Sequence, residues 1–289
     1  MHLPDKQIYL PLIQLARQED LGIGDITSQA TIAAGQVGSA EIVYRQGGIV
    51  AGMAVAETVL EVYDAQLKLE VSVGDGGRIE AGQAAGIITG PMRSLLAAER
   101  VLLNFLQRLS AIATLTNQYV QAVAGTEAKV CDTRKTTPGW RVLEKYAVRC
   151  GGGFNHRMGL YDAVMVKDNH LAALGGGNLA KGLKLAIENV RQLGRPIQFF
   201  LVEVDNLEQL EIVLGIDGVD IVLLDNMSLE MMSKAVAMAQ GSKVLLEASG
   251  CVTLDNIAAI ARTGVDRISS GALTHSIANL DIGLDITDN

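Results

Sequence analysis

From residue 128 onward, short apolar runs alternate with stretches of helical periodicity, and no other feature of this sequence restricts the fold as strongly. The runs are 129–131, 163–166, 197–204, 221–224, 244–246 and 267–269, and helices are predicted near 141–149, 181–193, 207–214, 229–240 and 254–263. Runs without polar alternation, separated by helices, describe parallel strands buried on both faces. Ser228 and Thr253 stand where N-caps belong and Gly264 where a helix should end. Six β-then-α repeats result. The residues just after each run decide between architectures: Asp132 with Arg134 and Lys135, then Lys167, Glu203, Asp225, Glu247 with Ser249, and Ser270 with Gly271. In a β/α barrel these ends meet at one mouth, whereas an open doubly wound sheet gathers fewer of them at one point. The expected fold is a barrel of about six strands. No G-x-G-x-x-G or G-x-x-x-x-G-K-[ST] motif follows any run, which argues against a dinucleotide or Walker-type site.

The first third has a different grammar. Residues 5–19 read as a helix with Ile8, Leu12 and Leu15 on one side. Residues 67–73 alternate strictly and predict a half-buried strand, closed by the turn Gly74-Asp75-Gly76-Gly77. Further short strands are predicted within 39–53 and 85–89. Leu95, Leu102, Leu103, Leu106, Leu109, Ile112 and Ala113 then mark a long amphipathic helix over about 93–123, with Gly125 to end it. This is a small α+β domain joined by a long helix to the barrel.

At 289 residues the chain is long enough for two domains. It carries 32 acidic and 24 basic residues, a net charge of −8, so non-specific binding to nucleic acid or an anionic membrane is not expected. No apolar run approaches the ~18 residues of a membrane helix, and the N-terminus lacks the basic-then-apolar layout of a signal peptide. Cys131, Cys150 and Cys251 are odd in number and widely spaced, without C-x-x-C, which predicts a reduced, cytoplasmic protein. Against the acidic background, residues 131–170 hold seven Lys and Arg and four Asp and Glu. Such an island is the footprint of a small anionic substrate, or simply a solvated face of paired charges.

Within the island, Asp132-Thr133-Arg134-Lys135-Thr136-Thr137-Pro138-Gly139 is a strand end followed by two cations and three hydroxyls, suited to carboxylate or phosphate. Gly151-Gly152-Gly153 lets backbone approach a ligand closely, and His156 and Arg157 follow it with donors. Lys167, in Lys167-Asp168-Asn169-His170, reads as an anion ligand, a Schiff-base nucleophile, or a lysine that merely snorkels from a strand end. Glu203 and Asp225 end adjacent strands and can share Mg2+ through oxygen ligands and water; helix capping and an ion pair are the bland alternatives. Ser249-Gly250 and Ser270-Gly271-Ala272 end the last two strands, where barrels often bind phosphate. A basic half, an acidic pair and a phosphate cradle suit a multiply anionic substrate with a phosphorylated, Mg2+-bound partner.

The runs DTRKTTPGWR (132–141), EKYAVRCGGGFNHR (144–157) and GLYDAVMVKDNH (159–170) resemble the quinolinate phosphoribosyltransferase family, as do EDLGIGDITS (19–28), LLDNM (223–227), EASG (247–250) and SGAL (270–273). The resemblance implies an N-terminal α/β sandwich over 1–112, with 275–289 packing back on it, and an incomplete α/β barrel over 113–274. It implies transfer of phosphoribose from phosphoribosyl pyrophosphate to quinolinate with decarboxylation, in NAD synthesis, with Mg2+. It places Thr133, Arg134, Lys135, His156, Arg157 and Lys167 at quinolinate, Glu203 and Asp225 at the ribose and metal, and Ser249, Gly250, Ser270, Gly271 and Ala272 at the 5′-phosphate. Lys135, Lys167, Glu203 and Asp225 are the implied catalytic groups. Arg100, by spacing a surface cation beside Glu99, matches a family arginine that enters the partner's site across a homodimer. Leu201, Cys251 and Trp140 depart from the family pattern. A related family associated with molybdate transport keeps part of the pattern, and a non-catalytic anion-binding protein on the same scaffold is the alternative from a different class.

Overall fold

The computed structural model describes residues 3–167, 169–170 and 178–287. Asp168 and residues 171–177 lie outside the described residues. Internal contacts divide the chain into two units, one comprising Met1–Asn117, Thr136–Gly153 and Leu273–Asn289, the other Gln118–Lys135 and Phe154–Ala272. The first thus takes in 136–153, a stretch that the sequence groups with the barrel.

In the first unit, α1 (Lys6–Leu21) and α2 (Ile26–Thr31) are capped by Asp5 and Asp25, whose carboxylates accept from Gln7 N and Ser28 N. The strands β1 (Val37–Tyr44) and β2 (Gly48–Ile49), the helix α3 (Met53–Tyr63), and the strands β3 (Lys68–Val71), β4 (Arg78–Ile79) and β5 (Ala84–Pro91) follow, then the 31-residue helix α4 (Met92–Ala122). The predicted strand within 39–53 is two, and Gly125, at φ +84°, lies beyond the helix end. The main sheet is antiparallel, in the order C-terminal strand (Ile282–Thr287), β1, β5, β3. The last strand pairs with β1 from Tyr44↔Ile282 to Ser39↔Thr287. The alternation over 67–73 fades in the structure: Leu67 is buried but Val71 is exposed, because β3 is the sheet's edge.

The second unit is the barrel. Its strands are β6 (Lys129–Cys131), β7 (Val164–Val166), β8 (Phe200–Val204), β9 (Ile221–Asp225), β10 (Leu245–Ser249) and β11 (Arg267–Ser269), all parallel and ordered 6-11-10-9-8-7. The first strand pairs with the last, and no strand ladder joins β6 to β7 among the described residues. Instead, Phe154 bridges Cys131 there. The result is an incomplete six-stranded barrel. Period-two alternation sends Val202, Val222, Leu224, Leu246, Ala248 and Ile268 one way. It sends Met165, Leu201, Ile221 and Leu223 to the interior, where the last three form one buried cluster. Leu201, a departure from the family pattern, is therefore a core residue.

Helices α6 (Leu179–Leu193), α7 (Leu207–Leu214) and α8 (Leu229–Ala239) are capped by Asn178, Asn206 and Ser228, each accepting from the backbone N–H three residues on. Thr253 does not cap. The next helix, α9 (Ile257–Arg262), starts later, because Asn256 Oδ1 accepts from Thr253 N and holds 253–256 as a turn. Gly264 follows it at φ +94°. The helix at 141–150, α5 in chain order, belongs to the first unit, where Glu144 is buried and paired with Arg108, and Trp140 stacks on Phe105 with centroids 4.6 Å apart. No described helix is long and apolar enough to cross a membrane. The three cysteines are free thiols.

Candidate active site

A cavity of about 480 Å3 opens within the barrel unit, lined by side chains from all six strand ends. The strand alternation explains its walls. Met165–Lys167, Leu201–Glu203, Leu223–Asp225 and Glu247–Ser249 are i, i+2 pairs in which the apolar or deeper member faces the barrel interior and the next one up is polar. Glu203 and Asp225 come from β8 and β9, which are hydrogen-bonded neighbours. The loop after β6 supplies Thr133, Arg134 and Lys135; the loop after Phe154 supplies His156 and Arg157.

Ten of the residues expected at the site meet here: Thr133, Arg134, Lys135, His156, Arg157, Lys167, Glu203, Asp225, Ser249 and Gly250. Of the seven cations in the basic island, Arg141, Lys145 and Arg149 are on the helix of the first unit and do not line the cavity. Arg100 is an exposed residue of α4 in the first unit. Gly271 and Ala272 are not in the cavity wall, and Ser270 is buried, its hydroxyl donating to the Val252 carbonyl and its N–H to the Cys131 carbonyl. Ser269, one residue earlier, lines the cavity instead.

The glycine run serves packing. A Cβ on Gly151 would lie 2.3 Å from the Ala113 carbonyl oxygen, and one on Gly153 would lie 2.7 Å from Thr116 Cγ2. These glycines let the backbone pass close to α4, which replaces the expectation that they approach a ligand. Close approach to the cavity occurs elsewhere. Gly250 has φ +99°, and a Cβ there would fall 2.0 Å from Asn226 Oδ1. Asn226 and Cys251 themselves have φ of +52° and +48°, the positive values found among described non-glycine residues, and both line the cavity. Left-handed backbone at non-glycine positions concentrates at functional sites.

The charges sort into two groups. Arg157 is buried, and its guanidinium makes only long contacts, 3.4 Å to the Ala163 carbonyl and 3.4 Å to Met165 Sδ. Burial, and then the nearby Arg134 cation, lower its pKa. Two neighbouring cations at one cavity wall are suited to receive an anion. On the other side, Lys167 Nζ donates to Glu203 Oε2, and Asp225 accepts from the Asn226 amide. Glu203 therefore forms the ion pair named as its bland alternative, while Asp225 caps no helix; Ser228 caps the one after it. The described residues hold no group of three or more His, Cys, Asp or Glu placed to bind a metal. Glu203 and Asp225 both line the cavity and offer carboxylate oxygens, the donor type that a hard cation takes.

Glu247, read from the sequence as one of the strand ends that meet at the mouth, lines this cavity, although no site role was assigned to it. It is buried at the cavity floor, with Oε2 accepting from Arg267 Nε at 2.7 Å and Oε1 lying 3.3 Å from His156 Nε2. The readable signal was an acid and a base in register on neighbouring strands, Glu247↔Arg267.

A parallel barrel whose mouth gathers cations beside paired carboxylates defines a β/α-barrel protein built to hold anionic small molecules. Comparison with known proteins narrows the class. The family models "Quinolinate phosphoribosyl transferase, N-terminal domain" and "C-terminal domain" match residues 25–110 and 112–285. The nicotinate-nucleotide pyrophosphorylase [carboxylating] of Mycobacterium leprae is 45% identical over 279 residues, covering 95% of each chain. Quinolinate phosphoribosyltransferase [decarboxylating] 1 of Nicotiana glauca is 42% identical over 294 residues, covering 95% of this chain and 81% of the relative. The crystal structure of NadC from Streptococcus pyogenes superposes with a TM-score of 0.91 at 37% identity, with all of both chains covered. The chain belongs to the quinolinate phosphoribosyltransferase family.

Proposed function

We propose that this chain is a pentosyltransferase that moves the phosphoribosyl group of phosphoribosyl pyrophosphate onto the ring nitrogen of quinolinate, releasing pyrophosphate and carbon dioxide and giving nicotinate mononucleotide for NAD synthesis. The observation that carries the reading is the two-sided cavity, cations on loops beside a carboxylate pair on strand ends, in a chain of this family. The named relatives do not favour the molybdate-transport alternative or a non-catalytic anion-binding protein.

Arg134, Lys135 and Arg157 receive the two carboxylates of quinolinate, with Thr133 and His156 shaping the wall. Lys167, paired with Glu203, joins the cationic side to the acidic side. As pyrophosphate leaves, positive charge builds on the ribose, and Glu203 and Asp225 stabilise it electrostatically. The glycosidic bond forms from the pyridine nitrogen, the C2–carboxylate bond then breaks, and its electron pair stays on the ring beside the cationic nitrogen until C2 takes a proton. Quinolinate offers no ketone or aldehyde, so Lys167 forms no Schiff base. Ser249 and Gly250 are assigned to the 5′-phosphate, with Ser269, which lines the cavity, in the place expected of Ser270. Glu203 and Asp225 would hold Mg2+, which supplies charge neutralisation for the pyrophosphate oxygens. Free thiols fit a reducing compartment, and the cytoplasm is the proposed location.

The direct test is pyrophosphate release with quinolinate, with nicotinate and with neither. Release only with quinolinate is expected; equal release with nicotinate contradicts the reading. The proposed homodimer, with Arg100 reaching the partner's site, is tested by refolding Arg100→Ala and Lys167→Ala proteins together. Random assortment makes half the dimers mixed with one complete site each, so about a quarter of wild-type activity returns. No recovery, with subunit exchange verified, rules out a shared site.

A further inference from the structure

A fully buried carboxylate beneath a receptor for anions requires an explanation. Glu247 has no solvent exposure, and its charge opposes that of the ligand proposed above it. Desolvation of such a group is unfavourable unless its partners are well placed. Its partners are specific. One oxygen takes Arg267 Nε at 2.7 Å, while that guanidinium lies 5.7 Å from the Phe199 ring centroid. The other oxygen lies 3.3 Å from His156 Nε2, and the same Phe199 ring meets the His156 ring edge-on at 5.2 Å. Arg267 does not line the cavity, so one half of Glu247 is anchored to the barrel wall and the other half reaches the site.

The His156 ring has a defined polarity. Its Nδ1 accepts the Arg157 N–H at 2.8 Å, which a proton on Nδ1 would forbid. The ring proton therefore sits on Nε2, the nitrogen 3.3 Å from Glu247 Oε1. The backbone N–H of His156 donates to Asp132 Oδ1 at 2.8 Å. Two carboxylates thus hold this residue, Asp132 by its backbone and Glu247 by its ring, and the ring in turn holds the backbone from which the Arg157 side chain projects.

We propose that Glu247 is a positioning residue: anchored by Arg267, it fixes His156 as the neutral tautomer protonated on Nε2, and through that ring it sets the backbone that aims Arg157 at the substrate carboxylate. The buried anion is retained for orientation, as a carboxylate behind a ring nitrogen selects tautomer and direction for a histidine that binds a metal. His156 is accordingly a link between Glu247 and Arg157, its Nδ1 accepting from the Arg157 N–H and its Nε2 lying 3.3 Å from Glu247 Oε1, and the charge that meets quinolinate comes from arginine. The quinolinate part of this proposal rests on the reading given under Proposed function; the tautomer does not.

The test has two arms. In the first, the imidazole nitrogens are observed by 15N NMR at pH 8 in the ligand-free enzyme, with His156 assigned by comparison with His156→Gln. Wild type should show His156 protonated on Nε2, and Glu247→Gln should show a mixture of tautomers. A wild-type His156 protonated on Nδ1, or a tautomer unchanged in Glu247→Gln, overturns the proposal. In the second, calorimetry gives the affinities. Glu247→Gln should bind quinolinate about tenfold more weakly, with phosphoribosyl pyrophosphate affinity changed by less than about twofold, a loss of ~1.4 kcal/mol. Equal weakening of both ligands overturns it as merely structural damage. If wild type fails to bind quinolinate, the proposed function fails while the tautomer result still decides the role of Glu247. Should Glu247→Gln not fold, Arg267→Lys, which keeps the charge and loses the fixed Nε–H geometry, must shift the same tautomer balance; an unchanged balance there overturns the proposal.

Discussion

The acidic and the basic sides of the cavity are built by different means. Glu203 and Asp225 are the last interior-facing residues of β8 and β9, so a hydrogen-bonded sheet sets their position. Arg134, Lys135 and Arg157 are on loops, and only a supporting frame can aim them. For Arg157 the proposed frame is carboxylate: Asp132 on the His156 backbone, Glu247 beside the His156 ring. The lesson is that strand-borne groups come with their geometry, whereas loop-borne groups need buried partners of opposite charge, and the two sides should respond differently to mutation.

The largest expected effect is on the basic side. Arg157→Ala removes a buried cation that has only long contacts among the described residues, and with it the proposed charge-assisted bonds to a substrate carboxylate. Quinolinate affinity should fall by about 100-fold, roughly 2.7 kcal/mol, with affinity for phosphoribosyl pyrophosphate nearly unchanged by calorimetry. On the acidic side the converse is expected. Asp225→Asn should leave quinolinate affinity intact and lower kcat by about 100-fold, measured as pyrophosphate release under saturation. If both variants lose both properties, the sides do not divide the work.

Between the two lies the strained turn after β10. Gly250→Ala places a Cβ against Asn226 in a backbone region that side chains rarely adopt. A loss of about 2 kcal/mol in urea unfolding is expected, together with weaker phosphoribosyl pyrophosphate binding.

The carboxylate frame adds a pH signature. Burial alone would raise the Glu247 pKa, but His156 and Arg267 outweigh it and hold it below the ordinary glutamate range. A depressed folded-state pKa gives stability that is present above the unfolded value and lost as pH falls through the folded one. Wild type should therefore lose stability relative to Glu247→Gln on acidification below the ordinary glutamate range, followed by urea midpoint. The smallest effect belongs to Cys251→Gly, which relieves a non-glycine residue at φ +48°. A gain of about 1 kcal/mol is expected.

Much of this was legible because the barrel strands are apolar on both faces, so their runs stand out and their ends can be read for function. Lys167, Glu203 and Asp225 were found in that way. The same rule accounts for the features that were not legible. Glu247 was read as a strand end at the mouth, but its pairing with Arg267 and its place beside His156 were not, because the run reads as ending at residue 246 although the strand extends to Ser249. The glycines at 151 and 153 read as ligand approach, because sequence cannot distinguish a ligand from the helix backbone that they contact. Thr253 has the right chemistry for a cap, but Asn256 takes over the turn. Ser270 lies just past the strand that ends at Ser269, where its hydroxyl and N–H are taken up by the Val252 and Cys131 carbonyls, a pairing the sequence does not show.

The central claim is that the cavity selects by counting negative charges. It is tested most directly by titrating quinolinate and nicotinate separately into the wild-type enzyme by calorimetry, since the two ligands differ by a single carboxylate. Quinolinate is expected to bind at least about 30-fold more tightly, ~2 kcal/mol for the additional charge-assisted contacts. Equal affinities would contradict it, because they would show that the clustered cations at Arg134 and Arg157 do not read the second carboxylate.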